Sequence, residues 1–79
     1  MLSLDPALAE SWFTLGLVYK DEQDYEQAEE AFSRAAAAAP EHVQAYYHRG
    51  RCRYAHGDAR AAAADFRRVA ELDPSSRDA

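Results

Sequence analysis

The sequence predicts an all-α fold of four antiparallel helices, arranged as two tandem helix-turn-helix hairpins, and three observations support this. Pro6, Pro40 and Pro74 are spaced 34 residues apart. Between them Trp12 pairs with Tyr46, Gly16 with Gly50, Ala28 with Ala62 and Phe32 with Phe66 at the same interval. Apolar residues also recur at helical spacing. A period of this size indicates one supersecondary unit used twice, each unit unable to bury its apolar face alone.

The first hairpin has clear start and stop signals. Asp5 and Pro6 are typical of an N-cap followed by proline in the first helical position, and we expect a helix over about 7–20. The segment 21–24 contains no apolar residue and supplies the turn. Its last residue, Asp24, is the predicted N-cap of a second helix that ends near Ala38.

The second hairpin repeats this plan. We expect a helix over about 41–55, followed by a left-handed stop at His56 and Gly57. Asp58 is the predicted N-cap of the last helix, which runs to about Leu72.

The chain is short enough for one domain, which we expect to span 1–79. Within it we assign 1–6 to a segment like the end of a preceding repeat, 9–42 to the first repeat, 43–76 to the second repeat and 77–79 to a tail. Leu4 and Leu72 occupy the same register, which is why the first residues resemble a repeat end. The sequence is typical of a slice of a longer array or of a minimal array.

The net charge of −5 is unevenly distributed. Residues 1–42 contain nine acidic and two basic side chains, whereas 43–79 contain seven arginines and five acidic side chains. This asymmetry could assist head-to-tail stacking of copies, but ordinary solvated helix faces are the favoured explanation. The acidic balance and the scatter of the arginines, with Arg67 and Arg68 on a solvated face, disfavour nucleic-acid binding.

Other classes of function find little support in the sequence. No apolar run is long enough for a membrane span or a secretory segment, and the single cysteine cannot form an internal disulfide. We therefore expect a soluble, cytoplasmic setting. Neither a glycine-rich phosphate loop nor a paired-carboxylate arrangement is present, so we expect no enzymatic activity and no cofactor.

The repeated residues resemble the signature of the tetratricopeptide repeat family. The matching residues are Trp12, Leu15, Gly16, Tyr19, Ala28, Phe32, Ala35 and Pro40 in the first repeat, and Tyr46, Gly50, Ala62, Phe66, Val69 and Pro74 in the second. The resemblance implies a short right-handed α-solenoid. It also implies a protein-interaction scaffold, in which the first helices of successive repeats line a concave groove for a partner peptide or helix.

The second repeat departs from this signature at two positions. Arg49 and Arg53 stand where the first repeat has Leu15 and Tyr19. An arginine in a half-buried position needs a partner, and we predict an ion pair between Arg49 and Asp65. Arg53 has no clear partner in the sequence, and we expect it to extend into solvent.

The groove residues implied by the resemblance form the candidate partner-binding face. They are Phe13, Thr14, Leu17, Lys20, Gln44, Tyr47, His48, Arg51 and Tyr54, flanked by Glu10, Asp21 and Ala55. We interpret Phe13 and Leu17 as apolar side chains with no intramolecular role, which suits a partner with apolar groups and an acidic group for Arg51. Alternatively, they cover neighbouring repeats or pack against another copy, which would make the chain a self-assembling segment.

Two narrower possibilities are disfavoured. A groove that captures the C-terminal carboxylate of a chaperone needs Lys and Asn side chains where this chain has Phe13, Leu17 and His48. His48, Cys52 and His56 fall four residues apart on one helix and could form a zinc-ligating stripe. The stripe drifts around the helix and lacks a fourth ligand, so we expect no metal site and interpret Cys52 as a core thiol.

Overall fold

The computed structural model of the chain describes residues 6–74, and this part forms four helices and no strand. The helices are α1 (Pro6–Asp21), α2 (Tyr25–Ala38), α3 (Val43–Ala55) and α4 (Ala59–Leu72). α1 packs against α2 and α3 against α4, while α2 also packs against α3 and joins the two hairpins. The prediction of an all-α fold with two hairpins is confirmed. The predicted cap Asp5, the segment 1–5 and the tail 77–79 lie outside the described residues.

The second helix of each hairpin begins at the predicted aspartate. The Asp24 carboxylate accepts a hydrogen bond from the backbone N–H of Gln27 at 3.3 Å. Asp58 accepts the equivalent bond from Ala61 at 3.1 Å. Each bond satisfies one of the free N–H groups of the first helical turn, so both predicted N-caps are confirmed.

α3 begins at Val43, two residues later than expected, because His42 is its N-cap. His42 Nδ1 accepts a hydrogen bond from the backbone N–H of Ala45 at 3.1 Å. The ring nitrogen Nε2 lies 3.0 Å from Glu10 Oε2, and a carboxylate can only accept, so the imidazole carries its proton there. Histidine is not among the preferred capping residues, which is why the sequence pattern placed this boundary too early.

Each hairpin turn contains a residue in the left-handed backbone conformation, but the residue type differs between the two turns. Gly57 follows α3 with a φ of 96°, the left-handed stop that the sequence predicted. Gln23, 34 residues earlier, takes a φ of 63° in the first turn. A left-handed conformation costs a residue with a Cβ about 1–2 kcal/mol, so the first turn is the more strained of the two.

The core is built from alanines around two buried rings, Tyr46 in one cluster and the fully buried Phe32 in another. Phe32 lies at the centre of the cluster that concerns the site. It clusters with Ala28 on its own helix and with Cys52 on α3, so this cluster lies between the two repeats. Gly16 lies beside the same ring, and a Cβ there would come within 2.5 Å of Phe32. Glycine therefore allows α1 and α2 to approach closely, as the repeat pattern indicated.

Candidate functional site

The predicted partner-binding face divides into a packed half and an open half. The Phe13 ring lies 5.6 Å from Phe32 and 5.5 Å from His48, measured between ring centroids. Leu17 packs against the same cluster. The interpretation of Phe13 and Leu17 as apolar groups with no intramolecular role is wrong, because α3 lies across the first hairpin and partly covers both.

His48 also belongs to the packed half. Its ring stacks on Phe32 at 5.8 Å, and Lys20 Nζ lies 3.3 Å from its Nδ1. An ammonium group can only donate, so Nδ1 accepts this bond as a neutral imidazole. Burial lowers the pKa of His48, and the positive charges of Lys20 and Arg51 lower it further.

The open half is formed mainly by α3. Tyr54 is 69% exposed and Tyr47 is exposed beside it. The Arg51 guanidinium lies 5.8 Å from the centre of the Tyr47 ring. With Ala55 and Phe66 these residues line a cleft of about 460 Å³, which we call the aromatic cleft.

Two further clefts share residues with the aromatic cleft. One of about 310 Å³ includes Arg51 and Lys20, and another of about 250 Å³ includes Tyr47 and Gln44. Because Arg51 and Tyr47 each line two clefts, the three form a continuous row along α3. Thr14 is exposed on α1 and lines none of them. The structure thus places Lys20, Gln44, Tyr47, Arg51 and Tyr54 along these clefts. Phe13, Leu17 and His48 line none of the three, and His48 lies at the boundary, where it contacts Lys20 and Tyr47.

The aromatic cleft corresponds to a surface that is covered in the first repeat. Tyr47 and Phe66 lie 6.1 Å apart, and their counterparts one period earlier, Phe13 and Phe32, lie 5.6 Å apart. Over that first pair α3 inserts His48. In the described part of the chain no helix follows α4, so the second pair is left open. It is therefore the counterpart, in the second repeat, of the surface on which α3 packs in the first.

Sequence reasoning did not include Phe66 in the site. The repeat pattern placed it in the core with Phe32, yet it is 37% exposed. The signal was available, because the second copy of a residue that packs between repeats is covered only by the helix that follows it.

The possible zinc ligands on and beside α3 lie in different environments. His48 accepts from Lys20, whereas His56 Nδ1 donates to Glu29 Oε2 at 3.0 Å. Cys52 is buried, which raises the pKa of its thiol to about 11. Within residues 6–74 no group of three His, Cys, Asp or Glu side chains is placed to hold a metal ion.

The predicted ion pair of Arg49 and Asp65 is confirmed as a two-point contact. Arg49 donates from Nε to Oδ2 at 3.0 Å and from Nη2 to Oδ1 at 2.7 Å. Its Nη1 donates to Ser33 Oγ at 3.1 Å. Asp65 is 3% exposed, so its charge depends on these donors.

Arg53 does not extend into solvent, and that expectation is wrong. Its Nη1 donates to Asp65 Oδ2 at 3.1 Å, and its Nε lies 3.6 Å from Glu29 Oε1. A carboxylate has room for several donors, so one aspartate holds both arginines. The network joins α3 and α4 of the second hairpin to α2 of the first.

Comparison with known proteins agrees with the fold and the repeat pattern. A tetratricopeptide repeat family model matches residues 13–77, which covers most of both hairpins. No curated protein matches the chain significantly. Members of the family are generally non-enzymatic scaffolds that bind other proteins. No helix in the described range is long and apolar enough to cross a membrane. The chain belongs to the tetratricopeptide repeat family.

Proposed function

We propose that the chain is a non-catalytic protein-interaction module that binds a partner helix or peptide along the row of clefts on α3. The observation that carries this proposal is the aromatic cleft, where Tyr47, Arg51 and Tyr54 are exposed together. Aromatic and arginine side chains are enriched among the few residues that contribute most of the binding energy in protein interfaces.

A helix is the favoured form of the partner. The aromatic cleft repeats the surface on which α3 packs, with Tyr47 and Phe66 in place of Phe13 and Phe32. A partner helix with apolar side chains on one face would bury these rings as α3 buries theirs.

The charges of the cleft favour an acidic group beside that apolar face. Arg51 has no ion pair among residues 6–74, and Lys20 lines the adjoining cleft with it. Their combined field also disfavours protonation of the nearby His48. A carboxylate on the partner would meet this positive field and form a charge-assisted hydrogen bond with Arg51.

Helical peptides selected from a library on the wild-type domain test the proposal. Tyr54→Lys introduces the residue that the first repeat has at Lys20, so it should leave the fold intact. We expect this variant to raise the dissociation constants of the selected peptides at least about tenfold, since aromatic residues at the centre of an interface contribute about 2 kcal/mol or more of binding free energy. Arg60→Ser, an exposed change on α4, is the control and should leave affinity unchanged. Full affinity in both Tyr54→Lys and Arg51→Ala would overturn the assignment of the site.

A second candidate function is self-assembly, and the exposed face of α1 favours it. Leu15 and Val18 are exposed on that helix. One period later these positions are Arg49 and Cys52. Both of those residues lie on the side of α3 that packs on α2. A second copy could therefore place its α1 on α4 in the way that α3 lies on α2, joining copies head to tail.

Light scattering over a range of protein and salt concentrations separates the two functions. Self-assembly predicts an average molar mass that rises with protein concentration. Val18→Glu should return it to the monomer value, because the substitution would bury a charge in the contact between copies. Ala37→Glu is the matched control, because this exposed α2 position carries glutamate one period later. A monomer at high concentration and low salt would rule self-assembly out.

A further inference from the structure

Four arginines gather around one cleft between α3 and α4, on a different set of residues from the aromatic cleft. Arg49, Arg53, Arg67 and Arg68 line this cleft of about 360 Å³, which we call the arginine cleft. The expectation that the arginines are scattered is wrong for these four. Helix α3 contributes two of them and α4 the other two, and the packing of the hairpin brings the pairs together.

The first repeat shows that the fold does not require this concentration of charge. At the positions of Arg49, Arg53 and Arg67 it has Leu15, Tyr19 and Ser33. The fourth position is arginine in both repeats, and it contacts the same kind of ring. Arg68 lies 5.7 Å from the centre of Tyr46, as Arg34 lies 5.0 Å from Trp12. The hairpin thus packs with one of the four arginines, and the other three are particular to the second repeat.

The acidic side chains of the arginine cleft do not accept hydrogen bonds from all of its arginine N–H groups. All three guanidinium nitrogens of Arg49 donate hydrogen bonds, two to Asp65 and one to Ser33. In Arg53, Nη1 donates to Asp65 and Nε forms the ion pair with Glu29. Its Nη2 has no acceptor in the described part of the chain. Arg67 has neither a hydrogen bond nor an ion pair within residues 6–74.

The remaining arginine is held in place without losing its charge. Arg68 lies over Tyr46, and its one acidic neighbour, Glu71, is 3.6 Å away and largely exposed. The adjacent Tyr46 side chain raises the pKa of Arg68, and Glu71 adds to this effect. The buried Asp65 also fixes Arg53, so the free Nη2 of that arginine can be presented with little further loss of side-chain freedom.

We propose that the arginine cleft is a second binding site, distinct from the clefts along α3, which accepts a carboxylate or phosphate group from an acidic or phosphorylated segment of a partner protein. A guanidinium group presents two parallel N–H donors that match the oxygen spacing of both groups. Arg67 and Arg53 Nη2 supply the free donors, and Arg68 adds charge at the rim.

Titration of the isotope-labelled domain with inorganic phosphate and with acetate, at constant ionic strength and followed by NMR, tests the site directly. We expect saturable shifts of the Nε–Hε signals of Arg53, Arg67 and Arg68, weaker at high salt because the contacts are ionic. Saturation by phosphate alone identifies a phosphorylated segment as the source, and saturation by acetate as well identifies a carboxylate.

Two matched variants make the result specific. Arg67→Ser copies the first repeat and should raise the dissociation constant about threefold to tenfold, the effect of losing one charge-assisted contact near a surface. Arg60→Ser removes the same charge from α4 outside the cleft and should leave the constant unchanged. Tyr54→Lys should also leave it unchanged, which keeps this site separable from the aromatic cleft. Linear shifts with both anions, or equal binding by Arg67→Ser and the wild type, would overturn the proposal.

Discussion

Replacing Asp65 with alanine should destabilise the domain more than any change of an exposed charge. The Asp65 carboxylate accepts three hydrogen bonds from two arginines and is 3% exposed. Without it Arg49 keeps only Ser33, and Arg53 keeps only Glu29. An unpaired charge in a largely buried position costs about 2–4 kcal/mol, less than in a dry core because both guanidinium groups remain partly solvated. The total free energy of unfolding of a domain of this size is about 4–12 kcal/mol.

The repeat supplies the second half of this test. The first repeat has Leu15 and Ala31 at the positions of Arg49 and Asp65, so the double variant R49L/D65A copies a pairing that already packs in this chain. We expect the double variant to cost about 1 kcal/mol or less, because Arg49 is gone and Arg53, which loses its bond to Asp65, still has Glu29 as a partner. The coupling energy between the two sites should then be about 2 kcal/mol.

Urea unfolding followed by circular dichroism measures all of these free energies. The control is Glu30→Ala, which removes an ion pair of 2.9 Å whose glutamate side chain is 58% exposed, and it should cost less than about 0.5 kcal/mol. Two results would refute the reasoning: additive losses in the double variant, or a loss in Asp65→Ala no larger than in Glu30→Ala.

Three further changes test the packing, the turn and the titration of the domain. Gly16→Ala should cost about 1–3 kcal/mol in urea unfolding, because its Cβ would lie 2.5 Å from the buried Phe32 ring. Gly50→Ala, with a nearest contact of 3.0 Å to a half-exposed ring, should cost less, and equal losses would contradict the packing argument. Gln23→Gly removes the strain of a φ of 63° and should raise stability by up to about 1 kcal/mol in thermal melts; a lower melting temperature would contradict this. Folding lowers the pKa of His48 from 6.5, so the unfolded state binds more protons, and stability should be full above that pH and fall as the pH drops below it. His48→Gln should flatten this decline, and identical slopes in both proteins would exclude His48 as its source.

The sequence predicted the helices well because their signals are local. Asp24 and Asp58 lie directly before apolar runs of helical period, and one capping bond fixes each boundary. The exception, His42, caps α3 through a ring nitrogen whose acceptor role depends on a proton held toward Glu10. No residue pattern within α3 carries that information.

The candidate site was only half predictable, since helical spacing gives the direction of a side chain but not what lies opposite it. Phe13 and Tyr47 occupy the same repeat position, yet α3 partly covers the first, and within residues 6–74 nothing comparable covers the second. The partner of Arg53 was missed for a related reason. Asp65 was already assigned to one arginine, and only the geometry shows that its carboxylate accepts from both.

The ionic network has a consequence for how the domain unfolds. Asp65 belongs to α4, but the arginines that it holds also reach Ser33 and Glu29 on α2. Melting the second hairpin alone would leave Glu29 without Arg53 and His56, and melting the first alone would remove two supports from the arginine pair. These bonds therefore add to the free energy that couples adjacent units in a helical array. Its smallest cooperative unit should be the pair of hairpins, so that both lose their helicity in one transition.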